Sequence, residues 1–116
     1  MNDYVIYHNP RCSKSRTALE MLRQHQIEPR VIEYLKTPPT VAELQGVLAK
    51  LGLPPAAILR AAEPEYAQLQ LGRPDLSDAA VLDAIARHPI LLQRPIVVHG
   101  ARAVIGRPPE KVLALL

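Results

Sequence analysis

One cysteine, Cys12, stands in the run Tyr7-His8-Asn9-Pro10-Arg11-Cys12-Ser13-Lys14-Ser15-Arg16. No acidic residue lies between Asp3 and Glu20. The apolar stretch from Tyr4 to Tyr7 reads as a strand that breaks at Asn9-Pro10, and Ala18, Leu19, Met21 and Leu22 then follow at helical spacing. Cys12 therefore falls at or just before the first turn of a helix. The N–H groups there have no partner within the helix, and the helix dipole places partial positive charge among them. A thiolate is stabilised at such a place, and so is an anion bound beside it. Arg11, Lys14 and Arg16 add cationic charge, so the thiol is expected to ionise below its ordinary pKa. The chemistry implied is a nucleophilic thiolate meeting an anion. The competing role for a lone cysteine is a small buried hydrophobe. Ser13 and Ser15 are candidate helix caps, and the backbone N–H groups of Ser13, Lys14 and Ser15 are available to an oxyanion.

Several chemistries are excluded by what is missing. Ser15 stands where a Cys-x-x-Cys pair would have its second cysteine, so no dithiol cycle can run within one chain. Any thiol that resolves an adduct on Cys12 must come from outside: glutathione, a glutaredoxin or a second subunit. Ala18 occupies the arginine position of a Cys-x5-Arg phosphatase loop, and no Gly-x4-Gly-Lys phosphate loop is present. The four histidines lack metal-ligand spacing, so no metal site is expected. His8, at the end of the first strand, either tunes the thiolate, contacts a substrate, or is a polar strand-end residue. The net charge of +3 suits a small anionic substrate. No basic stripe interleaved with aromatics is visible, which argues against nucleic acid. No apolar run approaches the ~20 residues that span a membrane. A signal-peptide pattern is absent, and one cysteine makes no internal disulfide, so a reducing, cytoplasmic setting is expected.

The elements that must position these residues follow from the pattern. Residues 4–8 are predicted as a strand, 13–26 as a helix, and 30–35 as a second strand, parallel to the first through a right-handed crossover. Thr37-Pro38-Pro39 interrupts regular structure. Thr40 and Glu43 form a capping-box pattern ahead of Val41, Leu44, Val47, Leu48 and Leu51, and Gly52 closes that helix. A short helix is predicted from Ala56 to about Ala62. Residues 63–76 read as irregular, with a short helix around Tyr66–Leu69. Ser77 caps a helix that buries Val81, Leu82 and Ile85 and ends at His88-Pro89. Residues 95–105 read as a hairpin turning at Gly100-Ala101. A last helix carries Val112, Leu113 and Leu116. The predicted fold class is α/β: a single domain over 1–116 with a mixed four-stranded sheet, ordered β-α-β, helical insertion at about 40–88, β-β-α. This arrangement resembles the thioredoxin-like fold. A proline opening the third strand opposite the cysteine fits it, and a cis Arg94-Pro95 bond is expected.

The residues that carry a closer resemblance extend over nearly the whole chain. They are the run from Tyr7 to Arg16, Tyr34-Leu35-Lys36-Thr37-Pro38-Pro39-Thr40, Leu59-Arg60, His88-Pro89-Ile90-Leu91 with Arg94-Pro95-Ile96-Val97-Val98, and Gly106-Arg107-Pro108. In these motifs the sequence resembles the glutaredoxin-linked arsenate reductase family. The resemblance implies a single-cysteine reaction in which Cys12 attacks arsenate. Glutathione is then the co-substrate, glutaredoxin removes the glutathione, and arsenite is released with no bound cofactor. It implies that Arg60, Arg94 and Arg107 bind the oxyanion. It also implies that His8 acts with Cys12 as a catalytic residue, with Ser15, Arg16 and Pro95 in support. Guanidinium forks suit a multiply charged tetrahedral anion better than the point charge of a lysine.

Two other functions remain open on sequence. One is a glutathione-dependent thiol protein of the same fold with a different anionic substrate. The other is a binding protein similar to the redox-sensing regulators of this fold that dock on RNA polymerase, although Ser15 removes the second cysteine that sensing uses.

Overall fold

The structure, a computed structural model, describes residues 3–116. Two compact units are present, one running to Thr37 and resuming at Arg94, the other spanning Pro38–Gln93.

The first unit carries the sheet. Strand β1 (Tyr4–His8) leads into helix α1 (Ser13–Gln24) and strand β2 (Arg30–Glu33). After the second unit come β3 (Ile96–His99) and β4 (Arg102–Ile105). The strand order is β2-β1-β3-β4, with β1 parallel to β2 and antiparallel to β3, and β3 antiparallel to β4. This is the mixed thioredoxin-like sheet that the element order implied. Alternation along the strands decides what is buried. Tyr4 and Ile6 share one face with Val97, and they pack with Ala18, Leu19 and Leu22 of α1 and with Val112 and Leu115 near the C-terminus. With no Phe or Trp in the chain, this core is aliphatic apart from Tyr4.

In this unit two boundaries and the type of one helix differ from the pattern-based ones. Helix α1 ends at Gln24, not at residue 26, because Gln26 adopts a left-handed φ of 61° and Ile27 N–H bonds back to the Leu22 carbonyl at 2.9 Å. Strand β2 stops at Glu33, where Lys36 and Thr37 N–H turn back onto the Glu33 carbonyl. The last helix is a 3-10 helix over Pro109–Leu115. Its repeat of three buries Val112 and Leu115, and Leu113 and Leu116 are exposed instead of carrying the packing as expected.

Side chains tie that final segment to the sheet. Tyr4 hydroxyl donates to the Leu115 carbonyl at 3.0 Å, and Arg102 donates to the Ala114 and Leu115 carbonyls. The His99 ring stacks on Tyr4 at 3.8 Å. Gly106 lies where β4 gives way to this segment, and its N–H bonds the Pro95 carbonyl at 2.8 Å. A Cβ at position 106 would meet Pro95 Cγ at 2.8 Å and Val112 Cγ1 at 3.2 Å. The Arg94-Pro95 bond is cis as expected, and Arg107-Pro108 is cis as well.

The second unit is helical. Helix α2 (Val41–Leu51) opens on the complete Thr40/Glu43 capping box and closes on Gly52 in the left-handed region. A 3-10 turn over Pro55–Ile58 replaces the longer helix predicted to about Ala62. It ends there because Leu59 leaves helical geometry to bridge Leu92, flanked by Arg60 N–H to Leu91 carbonyl and Gln93 N–H to Ile58 carbonyl. Helix α3 (Pro64–Gln68) is short. Helix α4 (Asp78–Arg87) is capped by Ser77 and buries Val81, Leu82, Ala84 and Ile85. A 3-10 turn over Pro89–Leu91 follows. No helix among the described residues is long and apolar enough to cross a membrane.

Candidate active site at the start of helix α1

The turn between β1 and α1 is held by its own polar groups. Cys12 N–H donates to the Asn9 carbonyl at 3.0 Å, and Arg11 N–H donates to Asn9 Oδ1 at 2.9 Å. An Asn side chain closing its own turn in this way explains why the strand breaks at Asn9-Pro10. Cys12 is the N-cap of α1, with φ −92° and ψ 122°, and its carbonyl accepts Arg16 N–H. Ser13 and Ser15, the caps expected on side-chain preference, do not cap the helix. Ser15 is fully buried, and its Oγ lies 2.6 Å from His8 Nδ1 and accepts Asn9 N–H at 3.1 Å.

The Ser15 hydroxyl accepts from Asn9 N–H and shares a proton with His8 Nδ1, the His8 tautomer deciding which of the two donates. His8 is itself buried, and burial is the main influence lowering its pKa from the ordinary 6.5. Glu33 opposes that shift, and the Arg23 and Arg16 charges add to it. His8 is thus a neutral brace that joins the end of β1 to the first turn of α1.

The thiol is partly buried, and burial alone would raise its pKa. The N–H of Ser15, the side chain of Arg94 and the N–H of Lys14 all favour the thiolate and outweigh burial, so the pKa is lowered overall. The N–H groups act as expected, and only the role given to the flanking cations is corrected. Arg11 and Lys14 have exposed side chains, and Arg16 donates to the Pro10 carbonyl at 2.9 Å. The cation that acts on sulfur is Arg94, on the residue before Pro95, at the start of β3.

The predicted oxyanion-binding arginines divide between the two units. Arg94 lies against Cys12. Arg107 donates from NH1 to the Arg94 carbonyl at 3.0 Å, which ties it to the same corner. Arg60 belongs to the second unit, where its Nε bonds Glu63 at 3.1 Å and its NH1 bonds Gln93 Oε1 at 3.1 Å. Beside the Cys12 turn, a groove of about 220 Å³ is lined by Pro10, Arg11, Leu35 and Lys36, with His8, Asn9 and Glu33. Among the described residues, no three His, Cys, Asp or Glu side chains are grouped to hold a metal ion.

Two residues of this site were not assigned there from sequence. Asn9 carried a signal, since Asn-Pro marks a turn. Tyr34 is fully buried beside Asn9 and Arg94, and burial is the main influence raising its pKa. Tyr34 fell within the predicted second strand and opened one of the motifs of the resemblance, but neither gave it a role of its own.

The protein named "Arsenate reductase" from Neisseria meningitidis serogroup A is 46% identical over the full length of both chains. The "Uncharacterized protein YfgD" of Escherichia coli is also 46% identical, over 96% of this chain and 94% of its own. Among solved structures, "Arsenate reductase from Vibrio cholerae" superposes with a TM-score of 0.97 at 49% identity, covering 99% of this chain and 98% of its own. The ArsC family pattern matches residues 7–115, and the chain belongs to the ArsC family.

Proposed function

We propose that this protein is an arsenate reductase, with Cys12 as nucleophile, glutathione as co-substrate and glutaredoxin as the final reductant. The observation that carries the proposal is a thiolate favoured by the Ser15 and Lys14 N–H groups and by Arg94 at one helix start. Those groups also suit an incoming oxyanion, because fixed donors cost little reorganisation when charge develops on an oxygen.

In the proposed reaction the Cys12 thiolate attacks pentavalent arsenic. An S–As bond forms, an As–O bond breaks, and the departing hydroxide takes a proton to become water. Glutathione displaces a second oxygen in the same way. A glutaredoxin thiolate then attacks the glutathione sulfur. The new S–S bond leaves the S–As electron pair on arsenic, which becomes trivalent. Water cleaves the remaining S–As bond and releases arsenite and the Cys12 thiol.

Arg94 and Arg107 serve as oxyanion ligands in this scheme, and Arg60 joins them on the family resemblance. The groove beside Arg11 and Lys36 offers two cations to the carboxylates of a peptide thiol. A single thiol that works through external thiols suits a reducing compartment such as the cytoplasm.

The test is arsenite production from arsenate with glutathione, glutaredoxin and glutathione reductase present, run beside Cys12→Ser. Arsenite formed by the parent and not by the variant is the expected result. A parent that makes none, while Cys12 still alkylates rapidly below pH 7, overturns arsenate as the substrate and leaves a poised thiol with another one.

A further inference from the structure

Tyr34 lies just past β2 with its side chain fully buried. Its hydroxyl closes no well-formed hydrogen bond within the protein. The surroundings explain why its proton has nowhere to go. The Asn9 side chain and the Arg94 guanidinium both lie beside the phenol oxygen. A guanidinium has no acceptor at all, and the Asn9 amide oxygen, which accepts Arg11 N–H, makes no bond with the hydroxyl. Burial nevertheless keeps the phenol protonated. A buried hydroxyl with a proton to give, beside a guanidinium and close enough to Cys12 for the two charges to interact, lacks only an acceptor. Buried polar groups of this kind are normally satisfied.

We propose that Tyr34 is a further binding residue of the Cys12 site, its neutral hydroxyl donating to an oxygen of the tetrahedral oxyanion that Arg94 also holds. The inference rests on the oxyanion reading of the site and adds a ligand to it. An arginine attracts any anion, whereas a neutral phenol rewards only an acceptor oxygen within reach of its proton. Tyr34 would therefore fix the orientation of the anion ahead of thiolate attack.

The test follows alkylation of Cys12 by iodoacetamide as arsenate is added, without glutathione. Tyr34→Phe keeps the ring and removes the hydroxyl. Loss of a hydrogen bond to a charged partner is expected to raise the half-protecting arsenate concentration about tenfold or more. KM for arsenate should rise in parallel, with thermal unfolding unchanged. An unchanged half-protecting concentration in Tyr34→Phe overturns the inference. Site-specific fluorotyrosine at position 34 gives a second measurement should the phenylalanine protein not fold. Its more acidic phenol is a stronger donor and should tighten protection, and no tightening would equally overturn the proposal. A parent protein that arsenate does not protect at all brings down the oxyanion reading, and this inference with it. That result differs from a loss confined to the variant.

Discussion

Helices α1, α2 and α4 start in different ways. Helix α2 has a full capping box with Glu43 in its first turn, and α4 has Ser77 bonded to Ala80 N–H with Asp78 in its first turn. Helix α1 has Cys12 at its N-cap, no side-chain cap and no acid in its first turn. A good cap satisfies orphan N–H groups, and first-turn acids offset the dipole. In α2 and α4 both are spent on stability. In α1 both are left for the thiolate and for what meets it, and the missing cap forgoes about 1 kcal/mol of helix stability.

The largest effect expected from this contrast separates activity from stability. Cys12→Ser should abolish arsenite production, yet it installs a favoured N-cap residue. Thermal unfolding should show a protein as stable as the parent or better, by up to about 1 kcal/mol. A large loss of stability would mean that Cys12 supports the fold, and the contrast between the helix starts would collapse.

Arg94→Ala ranks next. Removing a preorganised charge partner of the reacting group should lower kcat about 100-fold or more. Without Arg94, which favours the thiolate, the pH profile of Cys12 alkylation should move to higher pH. A profile left in place would return the effect to the helix terminus alone.

Ser15→Ala probes the brace behind the thiol. It strands two buried partners, His8 Nδ1 and Asn9 N–H, at an expected cost of about 1–3 kcal/mol in chemical denaturation. Thr40→Ala is the smallest change. It should cost about 1 kcal/mol and leave the rate of Cys12 alkylation untouched, because the capping box of α2 serves only its own helix.

The same contrast explains what was legible in the sequence. The Thr40/Glu43 box, the Gly52 stop and the Ser77 cap are local rules written within a few residues, and each stands in the structure as read. The Cys12 position was legible for the same reason. Proximity in sequence wrongly added Arg11, Lys14 and Arg16 as its charge partners, whereas the sheet brings Arg94 across from β3. Arg94 was legible only at long range, through the cis-proline expected before β3 and through the motif resemblance. The final helix was misread for another reason. Val112, Leu113 and Leu116 fit a repeat of 3.6, and only the packing of Val112 and Leu115 against the sheet reveals a repeat of three. Tyr34 had no role assigned from sequence, and it is core apart from one oxygen atom.

Gly106 sets the tolerance to which the site is assembled. Between Pro95 and Val112 there is clearance for a hydrogen atom and for nothing larger. A methyl group there would shift either the proline ring or the last turn of the chain, and Pro95 follows directly on Arg94. Gly106 touches no reacting atom, yet it works as a spacer of fixed thickness, and the aim of the guanidinium at the thiolate is only as accurate as that spacer is thin.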